Sequence, residues 1–122
     1  MEVEMNEKVL DTVRKMIGFD KSYTHFDLDL LININSFFSI LHDLGVGPDE
    51  GFVVTADTRW TEYNINPGYL AMVQQYIYLK TKLVFDRPET SYAIDSMTKL
   101  SEEIAWRLKV ERDREKYESA NP

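Results

Sequence analysis

Phe26-Asp-Leu-Asp-Leu-Leu-Ile-Asn-Ile-Asn-Ser-Phe-Phe-Ser-Ile-Leu-His-Asp43 is the stretch whose reading decides the fold class. Its first five residues alternate apolar and polar, as a half-buried strand would. Across the whole stretch, however, Leu30, Leu31, Ile34, Phe37, Phe38, Leu41 and Leu44 recur at spacings of three and four. That is the period of a helix with one buried face, and the pattern is far longer than an ordinary strand. Leu28, Ile32 and Ile40 widen the stripe, so this helix is expected to be the central one. Thr24 and Asp27 resemble a capping box with Asp in place of Glu or Gln, and Gly45 suits the position just past the helix end.

Three more segments share the helical period. Upstream, residues 3–17 place Met5, Val9, Leu10, Val13, Met16 and Ile17 on one face, and Gly18 is the stop. Downstream, Asn66-Pro67 opens a helix as a cap followed by proline at the first helical position. That helix carries Tyr69, Val73, Tyr76, Ile77, Leu83 and Val84 and ends near Phe85-Asp86, because Arg87-Pro88 cannot continue it. The last helix, residues 91–113, turns Ile94, Met97, Leu100, Ile104 and Leu108 inward with Trp106 flanking. Residues 107–118 mix five basic with four acidic side chains and keep almost no apolar stripe. This stretch is expected to be exposed, frayed or docked on a partner.

Residues 46–65 form a long connection between the second and third helices. In it Phe52-Val-Val-Thr-Ala reads as a short strand, with Arg59-Trp-Thr-Glu-Tyr63 as its partner across Ala56-Asp57-Thr58. Such a hairpin is marginal alone and needs to rest on the bundle through Phe52 and Trp60, or to pair with a neighbouring subunit. The expected architecture is therefore all-α. It is a small four-helix bundle with a long helix 2–helix 3 loop able to carry a short β-hairpin. Residues 1–110 make the domain and residues 111–122 an exposed C-terminal tail.

The 122 residues suit one domain, and 43% hydrophobic content is enough for its core. There is no cysteine, which excludes disulfides, thiolate metal sites and a cysteine nucleophile. The first fifteen residues are acidic and amphipathic, unlike a secretory signal, and no apolar run nears the ~20 residues that span a bilayer. A soluble protein that stays in the cytoplasm until assembly is the expectation. Net charge is −7, and residues 1–61 hold 11 Asp/Glu against 5 Lys/Arg, whereas residues 62–122 hold 10 against 9. A chain so acidic is poorly suited to gripping phosphate.

A search for chemistry finds structural explanations first. His25 and His42 lack a second ligand at metal spacing and read as helix-end residues. Asp27, Asp29 and Asn33 lack the glycine and bidentate Glu of a calcium loop. Glu102 and Glu103 lie side by side on a polar face. Tyr69, Tyr76, Tyr78 and Phe85 could stack bases, but with only Lys80 and Lys82 interleaved they read as core or interface aromatics. No phosphate-cradling loop or nucleophile motif is present. The expectation is no enzyme, no cofactor and no metal.

The run Val73-Gln-Gln-Tyr-Ile-Tyr-Leu-Lys-Thr-Lys-Leu-Val-Phe-Asp-Arg-Pro-Glu-Thr-Ser91 resembles the helix–turn signature of phage head–tail connector proteins. Three further pieces are similar to the family in the same order. They are Thr24-His-Phe-Asp-Leu-Asp-Leu-Leu-Ile-Asn-Ile-Asn35, then Leu41-His-Asp-Leu-Gly-Val-Gly47 with Phe52-Val-Val-Thr55 and Trp60, and finally Glu103-Ile-Ala-Trp-Arg-Leu108. Together they cover about residues 8 to 110, with Arg87 where many members have a second proline.

The resemblance implies a helical virion protein that forms a ring, twelvefold on the portal, between portal and tail. Such a ring extends the DNA channel, retains the packaged genome and docks the tail. Implied partners are further copies of the chain, the portal protein and a stopper or tail-completion protein, with DNA passing through the lumen unbound and no membrane. A lumen lined with negative charge would let DNA slide. Phe52, Trp60 and Tyr63 in the loop are the expected subunit or tail-side contacts. Arg107, Arg112, Arg114 and Tyr117 are the expected portal contacts. The alternative is a small acidic helical adaptor or regulatory module that binds a protein partner.

Overall fold

The computed structural model describes residues 6–20 and 22–120, and over these the chain is all-α. Its helices are α1 (Val9–Met16), α2 (Asp27–Asp43), α3 (Pro67–Phe85) and α4 (Ser91–Ala120), with a 3₁₀ turn at Trp60–Glu62 in the long loop. Two helices stop at the glycines expected. After α1, Phe19 N–H donates to Arg14 O at 2.9 Å and Gly18 N–H to Lys15 O at 3.1 Å. After α2, Val46 N–H donates to Leu41 O at 2.9 Å and Gly45 N–H to His42 O at 2.8 Å. Gly18 and Gly45 have φ of 85° and 84°, the left-handed geometry that lets the chain fold back and satisfy its last carbonyls. α3 opens as predicted, with the Asn66 side chain accepting the Gly68 N–H at 2.9 Å and Pro67 at the first helical position.

The start of α1 departs from the sequence reading. Residues 3–5 of the expected helix lie outside the described residues, and Lys8 is extended, so the helix begins at Val9. The long loop supplies the cause. Trp60 N–H donates to Glu7 O at 3.1 Å and Val9 N–H to Thr58 O at 2.9 Å, an isolated antiparallel bridge between Lys8 and Arg59. Backbone groups paired this way cannot also enter a helix.

The same loop corrects the hairpin. Phe52-Val-Val-Thr-Ala is not paired with Arg59-Trp-Thr-Glu-Tyr63, and no strand occurs among the described residues. Instead the Asn35 side chain on α2 takes both backbone groups of Val54. Val54 N–H donates to Asn35 Oδ1 at 2.7 Å, and Asn35 Nδ2 donates to Val54 O at 2.9 Å. An amide side chain presents donor and acceptor side by side, as a neighbouring strand residue does, so one asparagine replaces the partner strand, and its second N–H is left for Leu31 O at 2.9 Å. The second half of the expected hairpin is used by the bridge to Lys8 and by the 3₁₀ turn.

α3, not α2, is the central helix. It packs on α4, α2 and α1, whereas the main contacts of α2 are with α3 and α1. The buried residues of α3 (Val73, Tyr76, Ile77, Leu79, Thr81) span about 200° of its circumference at 100° per residue, those of α2 only about 100°. Leu28, Ile32 and Ile40 do not widen the α2 stripe inward, because all three are exposed. Val84 and Leu100, also expected inside, are exposed as well. The Thr24–Asp27 capping box is absent. α2 starts at Asp27 without a side-chain cap, and Asp27 faces Arg14 at 3.5 Å.

Arg14 is buried, and its guanidinium also reaches Asp11 at 2.7 Å and Tyr23 O at 3.3 Å. It ties α1 to the turn before α2. α4 continues helically to Ala120 rather than stopping at Asp113.

Trp60→Ala is expected to cost about 3–5 kcal/mol, because the ring is fully buried and its removal leaves a cavity in the core. Phe85→Ala should cost clearly less, since Phe85 is only half-buried beside Phe26. Equal shifts of the urea midpoint would contradict this ordering. Asn35→Leu should cost about 1–3 kcal/mol by leaving both Val54 groups without their partner. Unchanged proteolysis of residues 50–56 would argue against that role.

Candidate partner-binding surface

The loop aromatics expected at an interface lie largely inside the chain. Phe38 of α2 receives them. Its ring centroid is 5.0 Å from Phe52, 5.0 Å from Tyr63 and 6.3 Å from Trp60, and Phe52 and Tyr63 are 4.6 Å apart. Trp60 has no exposed surface, Tyr63 is buried and Phe52 is half-buried. Trp60 Nε1 donates to Thr12 Oγ1 at 2.9 Å, so the indole's polar end is satisfied within the core. The outer side of the loop includes Val53, Thr55, Ala56 and Asp57, all exposed.

The α4 residues are placed differently from one another. Arg107 is exposed and paired with Glu103 at 2.9 Å, and Arg114 is exposed and paired with Glu111. Tyr117 is exposed near the helix end. Arg112 is half-buried and committed to the fold. Its Nε donates to Gly45 O at 2.9 Å, and a Cβ on Gly45 would sit 2.5 Å from that nitrogen. A glycine with positive φ therefore serves both the α2 stop and the docking of α4.

Two open hollows flank α4. One, about 490 Å³, lies between it and the first turns of α3 and is lined by Gly68, Tyr69, Met72, Trp106, Val110 and the charged rim Arg107 and Glu111. The other, about 480 Å³, lies where the loop leaves α2 and is bordered by Gly47, Asp49, Asn66, Arg112 and Glu115. Asn66 Nδ2 donates to Glu115 Oε1 at 3.2 Å across it. Burial and then the Glu115 carboxylate push the Tyr69 phenol above its ordinary range.

The polar residues weighed as chemistry have local uses. His42 Nε2 meets Asp49 O at 2.8 Å, and His25 packs edge-on against Phe26. Asn33 Nδ2 donates to Asp29 O at 2.8 Å, while Asp27 serves Arg14. Among the described residues no three His, Cys, Asp or Glu gather as a metal site. Tyr76 is buried and Tyr69 and Tyr78 half-buried, so these three rings form no open stacking platform. No helix of the described residues is long and apolar enough to cross a membrane.

Sequence reasoning missed two outward apolar rows. On α2, Leu28 is 71% and Ile32 60% exposed, with Ile40 further along the same side. On α4, Trp106 is 64% exposed beside Val110, with Tyr92 and Tyr117 on the same line. The signal was present in both helices as apolar residues about 180° from the buried stripe, which a one-sided wheel absorbs into the core.

Tyr63 gives a direct test of the loop packing. Its hydroxyl is buried with no partner among the described residues and lies 3.0 Å from where a Gly47 Cβ would be. Tyr63→Phe is therefore expected to leave stability unchanged or raise it by about 1 kcal/mol. Burial raises the folded phenol above its ordinary 10.0, so the unfolded chain ionises first and stability falls as pH rises past that value. The phenylalanine variant should lose less stability there. A steeper alkaline loss than wild type would contradict the buried phenol.

No match was found among curated proteins or among solved structures. The profile of the family described as "Phage connector protein" matches residues 9–115, from the first residue of α1 into the last turns of α4. With most of its length matched, this all-α chain belongs to the phage connector protein family, a family of structural proteins.

Proposed function

We propose that this connector protein forms a ring between the portal and the tail, where it extends the DNA channel, helps retain packaged DNA and docks the tail. The family match over residues 9–115 carries the reading. A rigid bundle with its loop pinned down and two outward apolar rows is consistent with a subunit that needs neighbours. The protein acts in the virion at the head–tail joint, after synthesis in the host cytoplasm. Its partners are copies of itself, in twelvefold order on the portal, the portal protein, and a stopper or tail-completion protein.

Within that reading the C-terminal half of α4 docks the portal through Arg107, Arg114 and Tyr117, with Arg112 shared with the loop contact at Gly45. Residues 111–122 act as the docking tail and residues 1–110 as the ring-forming domain. The loop meets the tail side through its exposed surface, with Phe52, Trp60 and Tyr63 giving that surface its shape from beneath. Asp49, Glu50, Asp57 and Glu62 are exposed on the loop. Facing the lumen, they repel DNA phosphates and keep the genome sliding. An acidic chain with no clustered basic stripe favours passage over grip.

Particles from the parent phage with this gene deleted, viewed by electron microscopy, test the proposal. DNA-leaking or tailless heads beside free, finished tails are expected. Normal tailed virions would overturn the connector reading and favour an adaptor module for a protein partner.

A further inference from the structure

We propose that the C-terminal turns of α4 form a strap that closes on both ends of the long loop and opens from them as one unit. The proposal stands apart from the connector reading and rests on the contacts around one hollow.

α4 changes character at Leu108. Ser101, Ile104 and Leu108 are its buried residues, and none of residues 109–120 is buried. The ties of this half to the body are polar. Arg112 Nε donates to Gly45 O at 2.9 Å, just before the loop begins. Glu115 Oε1 accepts from Asn66 Nδ2 at 3.2 Å, just after the loop ends. The Tyr69 phenol also lies against the Glu115 carboxylate. Arg112 and Glu115 are three residues apart and share one face of the helix. One helix face therefore holds two points of the chain that are far apart in sequence.

Under the strap lies the open hollow of about 480 Å³, where Val46, Ile65 and Leu108 line the space with these polar groups. Because the space is unfilled, opening breaks few apolar contacts, and the polar groups it releases meet water. The exposed pairs Lys109–Asp113 and Arg114–Glu111 stay within the helix and add little. Beyond its last buried residue a helix gains little per residue added, so its end frays unless something holds it. The ties at Gly45 and Asn66 supply that hold. The helical state of residues 109–118 thus depends on an asparagine at the start of α3, and the order of Gly45 and Val46 depends on the tip of α4. Such coupling is reciprocal, so whatever captures the tip of α4 also acts on the loop.

Hydrogen exchange of the full chain, read amide by amide by NMR, tests the strap. Glu115→Ala and Arg112→Ala each replace a tie with the strongest helix former, so propensity alone would steady the helix. Both are expected instead to speed exchange of residues 112–118 about tenfold or more. The Gly45 and Val46 amides, which donate to His42 O and Leu41 O, should exchange faster with them. Asn66→Asp keeps a cap for the Gly68 N–H but sets a second carboxylate against Glu115. It should speed the same α4 amides with no substitution in α4. Arg114→Ala breaks a pair within the helix and should leave Gly45 and Val46 unchanged.

Unaltered exchange of residues 112–118 in Asn66→Asp would overturn the proposal. So would faster exchange in Glu115→Ala confined to α4, or an equal effect of Arg114→Ala on Gly45 and Val46.

Discussion

The fold depends on the pinning of the long loop by Trp60. Its indole is fully buried, its Nε1–H is held by Thr12, and its backbone N–H is held by Glu7. One residue thus joins the loop to α1 by side chain and by main chain at once. Phe38 completes the arrangement by carrying the rings of Phe52, Tyr63 and Trp60 on α2. Without this anchor, residues 46–65 would be a long segment with too few contacts to offset its ordering entropy.

With the loop fixed, the rest of the molecule follows in order. The loop sets where α1 can begin, because residues 7–9 pair with residues 58–60. It covers one flank of α2 through the Asn35–Val54 pair. Its start is clasped by Arg112, which brings the C-terminal half of α4 back against the end of α2. α3 lies within this frame, packed on all three other helices. Among the surfaces left exposed are Leu28 and Ile32 on the outward side of α2 and Trp106 and Val110 on that of α4. Both helices therefore carry apolar residues on two sides, one packed within the chain and one exposed.

Much of the candidate surface was legible in residue type and little of it in placement. Arg107, Arg114 and Tyr117 are exposed on α4, in the region read as charged and without an apolar stripe. Phe52, Trp60 and Tyr63 were recognised as important aromatics, but the choice between core and interface turned on Phe38 and Thr12, which lie far from them in sequence. Leu28, Ile32 and Trp106 were read as widening or flanking the core, because apolar character is the same signal whether a residue packs within a chain or awaits a partner.

By itself the sequence determined the helical period, the helix stops at Gly18 and Gly45, the Asn66-Pro67 start and the break at Arg87-Pro88. These are local effects of backbone geometry and of side-chain spacing within a few residues. Only the tertiary structure decided that α3 is central, that Asn35 replaces a strand, that α1 starts at Val9, and which apolar faces stay outside. Each of those outcomes depends on groups tens of residues apart meeting in space, where burial and hydrogen bonding are shared between segments that carry no mark of one another.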